Sequence, residues 1–167
     1  MTAADERFRL CLAKEDFKFS VAHFTVFSPE RAELLHGHNY RVTVELAGRE
    51  IGELGLLADL DRVKAEIRRL CRGLDSRTLL PAACPLLTWE HHDGAIEIAY
   101  RDRRYRVPEA DVVLLPLANS SMELLARHLW RQLAPGLAGT AVDHLTVTVE
   151  ESAGQRAIYE RSIDPLP

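Results

Sequence analysis

Three histidines carry the clearest chemistry in this sequence. His36 and His38 sit at i and i+2 of an alternating run, His36, His38, Tyr40, Val42, Val44 and Leu46. On a strand, both imidazoles project to one side, at a spacing that lets one metal ion be gripped by the pair. His23 falls in a second alternating run, Phe17, Phe19, Val21, His23, Thr25 and Phe27. If the two strands pair, His23 completes a three-nitrogen set with a fourth coordination position open. Such a set suits catalysis better than structure, because structural zinc is usually closed by four protein ligands and favours Cys. A single histidine on an apolar face is more often a satisfied core residue. Three that converge would each cost about 1–3 kcal/mol if buried without partners, and a shared metal accounts for them more simply. His91 and His92 flank a turn, and His128 and His144 are isolated, so solvent exposure or capping is their ordinary explanation.

Parity also separates two adjacent carboxylates. Leu145, Val147 and Val149 define the inward face of a strand, which Glu151 continues, whereas Glu150 belongs with Thr146 and Thr148. An inward carboxylate needs partners, and it suits a ligand with adjacent N–H donors, such as the guanidine-like edge of a pterin or guanine. A buried structural ion pair, or a strand end facing water, fits the same position.

The elements that must hold these groups follow from periodicity. Leu60, Val63, Ile67, Leu70, Cys71 and Leu74 recur at helical spacing, so the pattern predicts a helix over 59–74 stopped near Gly73. Short strands at 86–89, 95–100 and 105–107 around Asp93-Gly94 read as an inserted β-hairpin at about 84–110, followed by a strand at 112–115. Ser120 and Glu123 form a candidate capping box for a helix running to about Leu133. The last strands are expected at 145–151 and 157–161. This order, without βαβ alternation or a glycine-rich phosphate loop, predicts an α+β fold, helices on one face of an antiparallel sheet, in a single domain spanning 1–167.

Composition bounds the partners. The chain of 167 residues and 47% hydrophobic content is long enough to bury a core without structural metal. No run approaches the roughly 18 apolar residues of a membrane span. Lys+Arg 21 against Asp+Glu 25 gives a net charge of −4, which disfavours nucleic acid as a partner. Three cysteines, Cys11, Cys71 and Cys84, with no CxxC pair and no N-terminal apolar signal, point to a reduced cytoplasm.

Several segments together resemble the 6-pyruvoyltetrahydropterin and 6-carboxytetrahydropterin synthase family of the tunnelling fold. They are Phe19-Ser20-Val21-Ala22-His23-Phe24, Leu35-His36-Gly37-His38-Asn39-Tyr40, Ala58-Asp59-Leu60, Leu74-Asp75, Asn119-Ser120-Ser121-Met122-Glu123 and Val149-Glu150-Glu151-Ser152. The resemblance implies a four-stranded antiparallel sheet with two helices on one face and zinc on His23, His36 and His38. It further implies a pterin held by Glu151 with help from Ser120 and Ser121, and a homo-oligomer, commonly a hexamer built from two trimers. Many members place a catalytic cysteine shortly before the His-Gly-His segment. This chain has none there, and Glu33 matches a variant branch, Glu-x-Leu-His-Gly-His, resembling enzymes that cleave the side chain to 6-hydroxymethyl-dihydropterin. The family's Leu-Asp-His relay is here Leu74-Asp75-Ser76, leaving Asp75 as the relay's remaining member. Three functions follow: a zinc-dependent lyase acting on the side chain of dihydroneopterin triphosphate, the queuosine-route carboxypterin synthase reaction in the same site, or a zinc- and pterin-binding protein that has lost its proton relay.

Overall fold

The structure, a computed structural model, describes residues 6–163. The two histidine-bearing runs form β2 (Lys18–His23) and the 13-residue β3 (His36–Gly48), paired antiparallel with Phe19 opposite Tyr40, Val21 opposite His38 and His23 opposite His36. β3 is long enough to take two partners along one edge, β2 at its start and β1 (Phe8–Leu12) at its end. Its other edge pairs with β9 (His144–Ser152), which pairs with β10 (Gln155–Ser162). Val42, Val44 and Leu46 face Val149, Val147 and Leu145 across that ladder, and all six are almost fully buried.

The expected four-stranded antiparallel sheet is larger and mixed. β4 (Arg77–Pro81) adds parallel to β2, and β8 (Val112–Leu115) adds parallel to β4, so the sheet has seven strands. The sequence reading passed over β1 and β4. Each is only five residues long, and β4 carries the apolar run of a strand covered on both sides instead of alternation.

Both helices lie on one face, as expected, and share one apolar core with it. α1 (Leu60–Leu74) buries Val63, Ile67, Cys71 and Leu74, and the Asp59 carboxylate caps its first turn by accepting from the N–H groups of Asp61 and Arg62. Gly73 does not stop it. The helix runs through Leu74, and the left-handed turn falls on Ser76, whose φ of 57° is fixed by a 2.7 Å bond from its N–H to the Ser20 carbonyl. α2 (Met122–Leu133) begins after Ser121, and the capping box is not formed. The N-cap is Ser121, one residue past the expected Ser120, so Glu123 falls at the second helical position, and the Ser120 hydroxyl is turned toward the Phe24 carbonyl, to which it donates at 2.8 Å.

The hairpin expected at 84–110 is a three-stranded meander, β5 (Thr88–His92), β6 (Ala95–Tyr100) and β7 (Arg103–Pro108). Asp93 and Gly94 both take positive φ, 46° and 70°, the geometry that a two-residue connection with the twist of the flanking strands requires. The meander closes a second core around Phe24, Val26, Leu80, Cys84, Ile96, Ile98 and Tyr100. This explains a break in β2's alternation. Past His23 the buried residues are Phe24 and Val26, while Phe27 is exposed, because the chain leaves the first core and enters the second. Among the described residues no helix is long and apolar enough to cross a membrane, and the three cysteines are unpaired. Burial, with Asp16 and Asp75 nearby, pushes the Cys71 thiol up to about 12, which leaves it inert at neutral pH.

Candidate metal centre and active site

The register of β2 and β3 brings His23, His36 and His38 to one point, with one ligand atom from each within 4.8 Å of the others. The Nε2 atoms of His36 and His38 are 2.9 Å apart. Two nitrogens bound to one zinc at about 2.0–2.1 Å in tetrahedral geometry would stand about 3.3 Å apart, so this pair is near coordination spacing.

The groups behind the rings decide which nitrogens face the centre. Nδ1 of His36 lies 2.7 Å from the Leu34 carbonyl, an acceptor only, so Nδ1 carries the proton and Nε2 presents a lone pair. Nδ1 of buried His23 lies 3.4 Å from the Ser120 hydroxyl, whose own proton goes to the Phe24 carbonyl, and the same assignment follows. Tyr40 donates to Glu151 Oε1 at 2.9 Å and faces Nε2 of His23 at 3.0 Å with its remaining lone pairs. Glu151 Oε1 is also 3.1 Å from Nε2 of His38. The centre therefore gathers imidazole nitrogens, a phenol oxygen and a carboxylate with too few protons to pair them. A divalent cation fits that donor set. Burial, reinforced by His36 and His38, lowers the pKa of His23 and keeps it in the neutral, ligating form. Burial and the bond to Glu151 push the Tyr40 hydroxyl far above its usual range, so it remains a donor.

Glu151 occupies the inward position that parity predicted, with its second oxygen accepting from the Gln155 side chain at 2.9 Å. Glu150 points away and accepts from the Gly154 N–H at 3.2 Å. Glu33 lies on the loop between β2 and β3, where its carboxylate accepts from the Thr25 N–H at 2.8 Å. Burial acts to raise the Glu33 pKa. The hydrogen bonds from Thr25, with His36 and His23 close by, outweigh it and hold the carboxyl below the ordinary range.

The remaining candidates divide. Ser120 is fully buried against His23, whereas Ser121 stands at the start of α2 without a side-chain capping bond. The hydrogen bonds of Asp75 go to the Ser20 N–H at 2.7 Å and the Ser76 hydroxyl at 3.3 Å, not to the histidines. His91 and His92 are exposed and pair with Glu109 and Asp93. The sequence places Tyr40 in an alternating run and in the segment that carries the family resemblance, without a role in the site. Its parity with His36 and His38 was the signal that its hydroxyl would reach the same centre.

Comparison with known proteins places this geometry. The 6-pyruvoyl tetrahydropterin synthase family model matches residues 12–162. A candidate 6-carboxy-5,6,7,8-tetrahydropterin synthase of Methanocaldococcus jannaschii is 29% identical over 150 residues, covering 88% of this chain and 91% of its own. The crystal structure of 6-pyruvoyl tetrahydropterin synthase from Plasmodium vivax superposes with a TM-score of 0.89 at 31% identity, over 95% of this chain and 100% of that one. A variant of the Plasmodium vivax enzyme in which a glutamate described as a catalytic residue is replaced by alanine is similar to the same degree, with a TM-score of 0.89 at 32% identity over the same shares of the two chains. This chain belongs to the 6-pyruvoyl tetrahydropterin synthase family and is an enzyme, a lyase of that type.

Proposed function

We propose that this enzyme is a zinc-dependent lyase that cleaves the side chain of dihydroneopterin triphosphate or a related dihydropterin, with Glu33 as the general base. The observation that carries this reading is the joint placement of three inward histidine nitrogens and an ionised glutamate three residues before the first ligand of β3. A glutamate in a Plasmodium vivax relative that is described as catalytic supports it.

His23, His36 and His38 would hold the zinc, which when bound supplies Lewis acidity toward the substrate's side-chain oxygens. Glu33, kept ionised at neutral pH, accepts a proton from the side chain. Glu151, braced by Tyr40 and Gln155, accepts hydrogen bonds from the N–H edge of the pterin with Ser121 bordering the ring, whereas Ser120, fully buried behind His23, supports that imidazole and does not touch the ligand. Asp75 orients a water or hydroxyl. Among the described residues no helix covers the outward face of the sheet and β8 and β10 are its end strands, so we take the enzyme to be a homo-oligomer, a hexamer of two trimers, and the unpaired cysteines suit the cytoplasm. The 6-carboxytetrahydropterin synthase reaction is the second reading, supported by the names of the archaeal relatives.

The test is incubation of the purified protein with dihydroneopterin triphosphate, with and without zinc, and identification of products by mass. The expected product is the 6-hydroxymethyl-dihydropterin. A general base contributes about 10²–10⁴-fold, so Glu33→Gln should lose most turnover while keeping zinc and pterin binding, and exposed Glu30→Gln should not. Parental turnover in Glu33→Gln defeats the assignment. A parent inactive on every dihydroneopterin overturns the proposed substrate.

A further inference from the structure

The loop that carries Glu33 is held from two sides by groups outside its own hairpin. On one side, the Asn119 amide satisfies both backbone groups of Val26, accepting from its N–H at 3.1 Å and donating to its carbonyl at 2.7 Å. On the other side stands the meander. Three successive donors at its β6–β7 end reach carbonyls of the loop: the Tyr100 hydroxyl to Ser28 at 2.8 Å, the Arg101 guanidinium to Glu30 at 2.9 Å and the Arg103 guanidinium to Glu33 itself at 2.5 Å. The Arg103 and Tyr100 side chains also touch one another, with the guanidinium carbon 5.7 Å from the ring centroid, and the two residues are paired in the ladder.

We infer that the meander is a positioning device for the base, acting through Arg103 on the backbone of Glu33. This rests on Glu33 serving as that base. The three anchors of Glu33 divide the task. Its N–H donates to the Thr25 carbonyl at 2.9 Å, its carboxylate accepts from the Thr25 N–H, and Arg103 takes the carbonyl that neither strand of the hairpin engages. With both sides of the residue pinned, the carboxylate can swing only about its side-chain torsions and stays beside His36. Misplacing a catalytic group by about 1 Å can cost on the order of 10²-fold in rate, so a clamp on the backbone is a direct route to activity. Arginine suits the task because its planar fork is always charged and loses little freedom on binding, where lysine would supply a flexible point charge.

The experiment combines Arg103→Ala, Arg103→Lys and Tyr100→Phe with kinetics at saturating zinc, and repeats Arg103→Ala in the Glu33→Gln background. Arg103→Ala should lower kcat roughly tenfold to hundredfold, the range expected for losing a hydrogen bond from a charged donor, with little change in KM. Arg103→Lys should recover part of the rate. Added to Glu33→Gln, Arg103→Ala should cost nothing further, because the two act as one unit. An undiminished loss in that background overturns the inference. So does an effect confined to the KM of the triphosphate and absent with dihydroneopterin, which would make Arg103 a phosphate contact. Amide exchange gives a readout independent of turnover. Exchange across 25–33 should quicken in Arg103→Ala and, more weakly, in Tyr100→Phe, and unchanged exchange in both overturns the clamp. Parental turnover in Glu33→Gln defeats the base assignment alone, while the exchange result still decides whether the meander holds the loop.

Discussion

Glu151 and Glu150 are adjacent, chemically identical and placed on opposite faces of one strand, which makes them a matched pair for testing how the heterocycle is held. The Glu151 side chain is only 13% exposed, and its oxygens receive hydrogen bonds from Tyr40 and Gln155 beside His38. A pterin edge bound there would gain charge-assisted hydrogen bonds in a largely desolvated site. Glu151→Gln keeps the shape but removes the charge and replaces one acceptor by a donor. The loss should be about 1.5–3 kcal/mol, or roughly ten- to hundredfold in affinity. Glu150→Gln touches a carboxylate whose bond goes to the Gly154 N–H in a surface turn. Its cost to pterin binding should stay within about 0.5 kcal/mol, as for other surface changes. Calorimetric or fluorescence titration of a dihydropterin into both variants, each checked for zinc content, reads the difference. Equal weakening, or a larger effect at Glu150, would refute the argument from strand parity.

Other expectations follow from the same geometry. His36→Ala and His38→Ala should each lose most bound zinc in elemental analysis of the purified protein, and a full equivalent retained in both would place the metal elsewhere. Burial and the neighbouring Arg131 lower the pKa of His128. The unfolded chain then takes up a proton where the folded chain does not, so stability present above about pH 6.5 is lost as the pH falls through the lowered native value. His128→Gln should flatten that part of a denaturation-against-pH curve, compared at equal metal content, and an unchanged curve would remove His128 as its source. Gly48→Ala should destabilise by about 1–3 kcal/mol in urea titration, because an added Cβ would overlap the Ala141 carbonyl and come within 2.7 Å of Leu57 Cδ2. A midpoint equal to the parent's would show that the end of β3 and the segments before β9 and α1 that carry Ala141 and Leu57 can separate at little cost.

The centre was legible in the sequence because it is built on the part of the fold with the plainest rule. In β3 each second residue from His36 to Leu46 faces the core side, so counting by two places His38, Tyr40 and the ladder partners of Val42, Val44 and Leu46 on one surface. The same count on β9 separates Glu151 from Glu150. The rule failed where burial has two sources. At Phe24 the chain passes from the helix-covered core to the meander core, and an apolar residue there says nothing about which face it serves. The capping box failed for a related reason. Ser120 has the right spacing to Glu123, but the helix starts one residue later with Ser121 at its N-cap, and the Ser120 hydroxyl is turned toward the Phe24 carbonyl and His23, away from the N–H groups it would have to accept from. Long-range commitments of this kind leave no local pattern, and the Arg103 bond to Glu33, 70 residues away, belongs to the same class.

Asp75 and Ser76 show how a position can keep its structural duty while changing what chemistry it offers. Ser76 bends the chain through a left-handed turn and hands its N–H to Ser20, and Asp75 takes the Ser20 N–H in return, so the pair fastens the end of α1 to β2 at two points. Neither bond uses the Ser76 side chain, whose hydroxyl only reaches Asp75 at 3.3 Å. A histidine there would add a group able to gain and lose a proton near neutral pH, and a serine does not. Proton handling on this reading falls to Glu33. One base suffices to take a proton from a side-chain hydroxyl as the neighbouring carbon–carbon bond breaks, and it can return that proton to the ring-side carbon. A rearrangement that moves hydrogen between several side-chain carbons needs a second group to exchange protons. Set against the Leu-Asp-His and cysteine pattern that the sequence resemblance implies, Ser76 and Glu33 both support the proposed cleavage of the side chain over its internal rearrangement.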